Sequence, residues 1–139
     1  LIMRITPFII FVLAIALNVE GQSSIFNSSK NNILPANEAF NVSYKIDNNF
    51  LEVTWNVKDN YYLYLNSIKI ENNDQDISFK TLVSDIYDHN DQFFGDRKII
   101  RGLFKISSEE MNKNHTLLVK YQGCSDIGFC YPVQILKVY

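Results

Sequence analysis

The two cysteines are the residues of this 139-residue chain whose type and spacing point most directly to chemistry. Five residues separate Cys124 from Cys130. That is too many for a Cys-x-x-Cys motif on a helix, and the spacing is wrong for a zinc knuckle. It suits a tight β-hairpin, where facing cysteines lie about 5.5 Å apart at their Cα atoms and a disulfide can join them. We therefore predict a disulfide-forming pair on a hairpin.

A disulfide that closes so short a loop adds little chain entropy to stability. The loop-closure relation gives roughly 2.4 kcal/mol for a seven-residue ring, against about 4.7 kcal/mol for a 100-residue ring. The short loop favours reversible thiol–disulfide exchange, although this reasoning leaves a permanent structural disulfide open. Exchange needs one thiolate to attack a disulfide sulfur and a second thiol to resolve the mixed disulfide. Cys124 and Cys130 are the only candidates for both roles.

Metal binding is the other chemistry that cysteines support. It would need His89 or His115 as further ligands, and neither histidine has ligand-like spacing relative to the cysteines. We expect no metal, nucleotide or other cofactor in this domain.

The segments that must position the cysteines alternate apolar and polar residues with the period of a β-strand. Residues 40–46 and 51–57 predict a hairpin with one buried face, which includes Trp55. Only residues 107–112 carry a helix-start pattern, enough for about one turn. Further strands are predicted at residues 64–70, 77–83, 99–106, 117–121 and 131–139. The fold class predicted is all-β, an antiparallel sandwich.

The N-terminus has the pattern of a secretory signal peptide over residues 1–21. A positive residue, Arg4, precedes the apolar run 8–17, and small residues follow at the cleavage positions. The run is shorter than the about 20 residues that span a bilayer, although a retained N-terminal anchor is the alternative. We expect residues 22–33, rich in Ser and Asn, to be a flexible lead-in and residues 34–139 to be one domain.

The net charge of −2 offers no basic surface for nucleic acid or an acidic membrane. In an exported chain, the two cysteines are expected to be oxidisable because the compartment permits disulfides.

Three motifs closely resemble the N-terminal periplasmic domain of the DsbD family, transmembrane thiol–disulfide reductases of Gram-negative bacteria. Residues 121–132 (YQGCSDIGFCYP) resemble its active-site hairpin. Residues 54–64 (TWNVKDNYYLY) resemble a neighbouring segment, and residues 91–95 (DQFFG) resemble its cap loop. The motifs occur in the family's order. The resemblance implies an immunoglobulin-like sandwich, with the cysteine pair in a β-hairpin, located in the periplasm.

The resemblance also implies individual roles. Cys130 would form the mixed disulfide with partners, and Cys124 would resolve it. Phe93, the first aromatic residue of the cap segment, would cover the cysteine pair, because a reduced dithiol in an oxidising compartment must be shielded from wrong oxidants. The alternative is that Phe93 and Phe94 are core residues at a strand start.

Two carboxylates and two tyrosines complete the candidate site. Asp91, in the cap segment, and Asp126, in the hairpin, would raise the pKa of a nearby thiol, and a hairpin lacks the helix N-terminus that lowers it. We therefore expect a thiol that reacts slowly until a partner docks. Asp126 could equally bind the turn amides. Tyr62 and Tyr64 match family positions near the active site, with core packing or edge hydrogen bonding as the alternative.

The expected function is a relay of reducing equivalents through transient mixed disulfides with thioredoxin-like domains. The donor would be a thioredoxin-like domain or a separate membrane electron carrier, and the acceptors periplasmic disulfide isomerases or cytochrome c maturation thioredoxins. We expect a monomer. The rival is an immunoglobulin-like binding module with a structural disulfide; a chaperone- or adhesin-like sandwich has no motif in its favour. The chain departs from the family pattern at Gln92, usually acidic, and at Val133, usually proline. It also ends at Tyr139, where DsbD continues, so we expect either a stand-alone domain or a truncated gene.

Overall fold

A computed structural model describes residues 33–139, which form antiparallel β-sheets. The predicted signal peptide and all but the last residue of the predicted lead-in lie outside the described residues. Between residues 33 and 139, no helix has the length and apolar character needed to cross a membrane.

Twelve strands and two short helices make up the described part of the chain. They are α1 (Ala36–Ala39), β1 (Phe40–Asp47), β2 (Phe50–Val57), β3 (Tyr61–Tyr64), a 3-10 helix (Leu65–Ser67), β4 (Lys69–Asn72), β5 (Gln75–Ile77), β6 (Phe79–Val83), β7 (Ile86–Asp91), β8 (Gly95–Ile100), β9 (Leu103–Ser108), β10 (Leu117–Tyr121), β11 (Gly123–Ser125) and β12 (Gln134–Lys137).

The strands form three four-stranded sheets. The first sheet has the order β1-β2-β9-β6, the second β12-β10-β4-β5 and the third β11-β3-β8-β7. The second and third sheets adjoin, because β10 passes into β11 through Gln122 alone. The carbonyl of Gln122 accepts a hydrogen bond of 3.0 Å from the amide of Tyr64, which fastens the end of β3 to this junction.

The core lies where the first sheet packs against the second. Trp55 on β2 meets Phe104 on β9 with ring centroids 5.7 Å apart and Tyr121 on β10 at 5.8 Å. Apolar side chains from β2, β4, β9 and β10 are fully buried around them: Val53, Trp55, Ile70, Phe104, Ile106, Leu117 and Val119. The predicted fold class, an all-β antiparallel sandwich of immunoglobulin type, is confirmed.

Four of the predicted strands were wrong in extent. Residues 131–139 form a strand only over Gln134–Lys137. The other three share one reason. Residues 64–70 contain the 3-10 helix between β3 and β4, residues 77–83 break between β5 and β6, and residues 99–106 break at Arg101 and Gly102. At each break the chain leaves one sheet for another. The apolar pattern continues through the switch because both strands have buried faces, so alternation alone does not reveal it.

Other local predictions also need correction. Residues 107–112 form no helix; Ser107 and Ser108 end strand β9 instead. In β1, Tyr44 is exposed although the alternation placed it on the buried face, since β1 is an edge strand of its sheet.

Candidate functional site

A disulfide joins Cys124 and Cys130, as the sequence predicted. Cys124 lies on β11 opposite Tyr62 of β3, and Cys130 pairs with Cys124 in an antiparallel bridge. Their Cα atoms are 4.0 Å apart. The prediction of about 5.5 Å was wrong because it assumed a hydrogen-bonded pair. The backbone hydrogen bonds instead flank the cysteines, from Ser125 to Phe129 and from Tyr131 to Gly123, and facing residues between such bonds approach more closely.

The two cysteines differ in exposure. Cys124 is fully buried, with 0% of its surface exposed, because β3 and the cap loop residue Asp91 enclose its side of the hairpin through Tyr62 and Tyr64. Cys130 is only half-buried. Solvent therefore reaches the disulfide from the Cys130 side.

The start of the hairpin lies directly against its neighbours. A Cβ atom on Gly123 would lie 2.3 Å from the carbonyl oxygen of Tyr62 and 2.7 Å from the ring of Phe40. Only glycine permits this approach. At the hairpin exit, the hydroxyl of Tyr131 donates a hydrogen bond of 2.5 Å to the carbonyl of Leu34. Both ends of the hairpin are thus held by the sandwich.

The hydroxyl of Tyr64 contacts both sulfurs of the disulfide. Its oxygen lies 3.1 Å from Cys124 Sγ and 3.9 Å from Cys130 Sγ. The Tyr64 hydroxyl donates its one proton to Asp91 Oδ2 at 2.5 Å, and the hydroxyl of Tyr62 donates to the same oxygen at 2.9 Å. With its proton directed at Asp91, Tyr64 presents oxygen lone pairs to the sulfurs, so it can accept a hydrogen bond from a thiol once the disulfide is reduced.

Asp91 links the tyrosines to the cap loop. Its second oxygen, Oδ1, accepts the backbone N–H groups of Phe93 at 2.7 Å and Phe94 at 3.0 Å. Burial opposes the charged form of Asp91, but these hydrogen bonds and those from the tyrosines outweigh it and hold the pKa of the carboxyl below its usual range. Burial, and then the bond to this carboxylate, raises the pKa of Tyr64. At neutral pH the site therefore contains an anionic Asp91 and neutral tyrosines.

The two cap-loop phenylalanines are not core residues. The exposed fractions are 55% for Phe93 and 47% for Phe94. The ring of Phe94 meets the ring of Tyr64 edge-on, with centroids 5.4 Å apart. Phe93 borders a cavity of about 360 Å³ between the cap loop and the turn of the hairpin, where Gly128 lines the opposite side. The loop thus lies beside the tyrosines that enclose the disulfide.

Asp126 has a partner that the sequence analysis missed. Arg101 binds the Asp126 carboxylate with its two terminal guanidinium nitrogens. Nη2 donates to Oδ1 at 2.7 Å, and Nη1 donates to Oδ2 at 3.2 Å. The sequence predicts for Asp126 either a role beside the thiols or hydrogen bonds to the turn amides. In the structure its carboxylate pairs with Arg101. Arg101 was overlooked because the predicted strand 99–106 ran through it. The glycine at position 102 was the signal available in the sequence; in the structure it has a φ of +62°.

His89 lies beside Tyr62 and Asp91. Its ring packs on Tyr62 with centroids 5.0 Å apart, and its Nε2 lies 4.0 Å from Asp91 Oδ2. Among residues 33–139, no three His, Cys, Asp or Glu side chains cluster in a way that could hold a metal ion.

The fold and the site together define a β-sandwich domain with a disulfide hairpin enclosed by tyrosines and an acidic cap loop. The sequence profile described as "Thiol:disulfide interchange protein DsbD, N-terminal" matches residues 30–137. The chain belongs to this family, so the resemblance drawn from the three motifs is confirmed.

Two relatives illustrate the extent of the similarity. The chain is 36% identical to the thiol:disulfide interchange protein DsbD of Pectobacterium atrosepticum over 120 residues, which cover 85% of this chain and 21% of the relative. It is 34% identical to DsbD of Escherichia coli K12 over 111 residues, covering 78% of this chain and 20% of that protein. The matched region thus corresponds to about a fifth of the length of these relatives.

Solved structures have the same fold. The DsbD N-terminal domain of Neisseria meningitidis in the reduced form superposes with a TM-score of 0.65 at 23% identity, covering 77% of this chain and 88% of that one. A complex between the DsbD and PilB N-terminal domains of the same organism matches with a TM-score of 0.57 at 21% identity, covering 78% and 89%.

Proposed function

We propose that this domain performs thiol–disulfide exchange through Cys124 and Cys130 and relays two electrons between thioredoxin-like protein domains. One observation carries the proposal: a fully buried cysteine is bonded to a half-buried one, beside the Tyr64 hydroxyl that contacts both sulfurs. A two-step exchange requires one sulfur that a partner can reach, here Cys130, and a second sulfur that is protected from the partner, here Cys124.

The exchange passes through a mixed disulfide between this domain and its partner. The Cys130 thiolate attacks one sulfur of a partner disulfide, forming a mixed disulfide and releasing the partner's other sulfur as a thiolate. The Cys124 thiolate then attacks the Cys130 sulfur, which restores the internal disulfide and releases the partner's second thiolate. The partner gains two electrons and two protons. The domain is re-reduced by the same steps in reverse with a dithiol donor.

The direction of the relay follows the family. We infer that the donor is a thioredoxin-like domain or a membrane electron carrier. The acceptors are periplasmic disulfide isomerases or cytochrome c maturation thioredoxins, and the domain works in the periplasm as a monomer. The Neisseria relative solved with a PilB N-terminal domain supports a protein domain as the partner. Exposed apolar side chains lie in the cap loop and beside Cys130, as suits a surface that a partner covers: Phe93, Phe94, Ile127 and Phe129.

The cap loop would shield the reduced cysteines. We expect Phe93→Ala and Phe94→Ala each to increase alkylation of the reduced cysteines by iodoacetamide. The stability cost should stay well below the about 3 to 5 kcal/mol of a buried phenylalanine, because both rings are about half exposed. Alkylation rates and thermal melts of the full chain check this. Tyr44→Ala, an equally exposed aromatic on the first sheet, is the matched control and should leave alkylation unchanged. Unchanged alkylation with a sharp drop in melting temperature would instead assign the phenylalanines to packing.

Reduction of the disulfide separates the relay from a binding module with a structural disulfide. A domain that cycles must stay folded as a dithiol, and most of its core residues lie outside the hairpin segment 121–132. We expect reduction to lower the free energy of unfolding by no more than about 2 to 3 kcal/mol and to leave a cooperative transition. We also expect a reduction potential above about −300 mV, the upper limit typical of structural disulfides.

Denaturant melts with and without dithiothreitol, and equilibration against glutathione, make these measurements. The variant with both cysteines replaced by serine is the control, and its stability should not respond to reductant. Complete unfolding on reduction, together with a potential below that limit, would contradict the relay and favour the binding module.

A further inference from the structure

Arg101 occupies a position that the exchange mechanism does not by itself explain. It follows β8 at the point where the chain leaves the third sheet, and its guanidinium reaches across β3 to the turn between the two cysteines. We propose that Arg101 is a positioning residue for the cysteine hairpin, and that it cancels the charge of Asp126 so that this carboxylate does not suppress thiolate formation. The consequence for electron relay rests on the function proposed above; the effect on the thiols does not.

Arg101 contacts both the hairpin turn and strand β3. Besides the two bonds to the Asp126 carboxylate, Nη1 donates to the carbonyl of Tyr61 at 3.2 Å. The guanidinium carbon lies 5.4 Å from the centre of the Tyr62 ring. A planar guanidinium can bind a carboxylate with two nitrogens, donate to a carbonyl and stack on an aromatic ring at once, whereas a lysine ammonium cannot. Arginine is therefore the residue type that this arrangement requires.

These contacts connect the hairpin turn to the network at the sulfurs. The amide of Asp126 donates to the carbonyl of Asn60 at 2.8 Å, so the turn is held to β3 by its backbone as well as by its side chain. Tyr62, beneath the guanidinium, donates its hydroxyl proton to Asp91. The position of Arg101 thus affects both the turn that carries the cysteines and the tyrosine that binds the acidic cap residue.

The effect of Asp126 on the thiols depends on the other charges around them. Tyr62 and Tyr64 are neutral, and Asp91 is anionic. His89 packs beside the Tyr62 ring with its Nε2 4.0 Å from Asp91 Oδ2, and Arg97 lines a groove beside Tyr64. Asp126 stands two residues after Cys124, in the turn between the cysteines, and two residues span at most about 7 Å of chain. An unpaired carboxylate at that distance would raise a thiol pKa by roughly 0.5 to 1 unit in a largely aqueous setting. When it is paired with Arg101, the Asp126 carboxylate adds little to the negative charge that Asp91 already places near the thiols.

The test is the pH profile of iodoacetamide alkylation of the reduced full chain, which requires no protein partner. We expect Arg101→Gln to move the profile to higher pH and to slow alkylation at pH 8 by roughly three- to tenfold, because less thiolate is present. The double variant Arg101→Gln with Asp126→Asn should return to the wild-type profile, since both charges are gone. Arg101→Lys keeps the charge but loses the paired contacts, so its alkylation profile should stay near wild type while its melting temperature falls. This separates the charge of Arg101 from its positioning of the turn; an unchanged melting temperature would contradict the positioning role.

A matched control removes a cation that is paired elsewhere. Lys105 lies 2.9 Å from Glu52 on the first sheet, so Lys105→Gln should leave the alkylation profile unchanged. Circular dichroism and thermal melts establish that each variant is folded. If Arg101→Gln fails to fold, the comparison of Arg101→Lys with Asp126→Asn carries the test. Arg101→Lys should then match wild type, and Asp126→Asn, with an unpaired arginine, should react at least as fast.

Two results would overturn the proposal. The first is an alkylation profile of Arg101→Gln that coincides with wild type. The second is a shift of the profile that is as large in the double variant as in Arg101→Gln, since the double variant lacks the carboxylate to which the shift is attributed. If Arg101→Gln does not fold, two other results would contradict the proposal. One is an Arg101→Lys alkylation profile shifted to higher pH, and the other is an Asp126→Asn variant that is alkylated more slowly than wild type. Neither result depends on whether the domain exchanges disulfides with thioredoxin-like proteins, so the two proposals fail separately.

Discussion

Cys130→Ser is expected to abolish mixed-disulfide formation with an oxidised periplasmic disulfide isomerase, whereas Cys124→Ser is expected to trap the mixed disulfide. The reason is the unequal exposure of the pair: Cys130 is half-buried, and Cys124 is fully buried beneath Tyr62 and Tyr64. With Cys124 absent, no second thiol resolves the bond that Cys130 forms.

Mass spectrometry of each reduced variant incubated with the oxidised isomerase measures the outcome. The variant with both cysteines replaced by serine controls for non-covalent association and should yield no adduct. An adduct through Cys124 in the Cys130→Ser variant would reverse the two roles. The absence of an adduct in both single variants would contradict thiol–disulfide exchange altogether.

Gly123→Ala is expected to be the most damaging single substitution in the hairpin, with a loss of about 3 to 4 kcal/mol in the free energy of unfolding. The added Cβ would lie 2.3 Å from the carbonyl oxygen of Tyr62 and 2.7 Å from the Phe40 ring. A backbone atom cannot move aside as the end of a flexible side chain can. Relief therefore requires β11 to separate from β3, where Gly123 pairs with Leu63.

Urea denaturation of the oxidised protein measures this loss. Gly102→Ala is the control, because no atom lies within 4 Å of its added Cβ and only the strain of its positive φ opposes alanine, at a cost of about 1 to 2 kcal/mol. Separation of β11 from β3 should also expose Cys124, so Gly123→Ala should speed alkylation after reduction while Gly102→Ala should not. Equal stability losses and equal alkylation rates in the two variants would show that the hairpin accommodates the methyl group.

The site couples the cysteine hairpin to the cap loop through a carboxylate rather than through direct contact alone. Asp91 accepts two tyrosine hydroxyls on one oxygen and two cap-loop amides on the other. The tyrosines and the cap loop therefore share one anchor. When the disulfide is reduced, a thiol can donate a hydrogen bond to Tyr64, whose hydroxyl is bonded to Asp91. Reduction is therefore transmitted to the carboxylate that binds the amides of Phe93 and Phe94.

The expectations for the acidic residues illustrate the limit of local reasoning. The sequence predicts Asp91 and Asp126 as carboxylates near the thiols. Asp91 does join the group around the disulfide, but by way of the tyrosine hydroxyls, and Asp126 is paired with Arg101. Their positions in the sequence indicated that both lay near the hairpin. The partner of each carboxylate comes from another strand or strand end, which no spacing within the hairpin could identify.

The features that could be predicted from the sequence are local ones. Alternation with period two identified the strands β2 and β10, and the five-residue spacing within a hairpin pattern identified the disulfide, because both depend on neighbours along the chain. Tertiary structure alone decided which groups meet at the sulfurs. Tyr64 and Cys124 are 60 residues apart and Arg101 and Asp126 are 25 apart. Each pair meets because β11, β3 and β8, which are distant along the chain, lie side by side in the third sheet. Alternation within one strand does not reveal which strands are its neighbours.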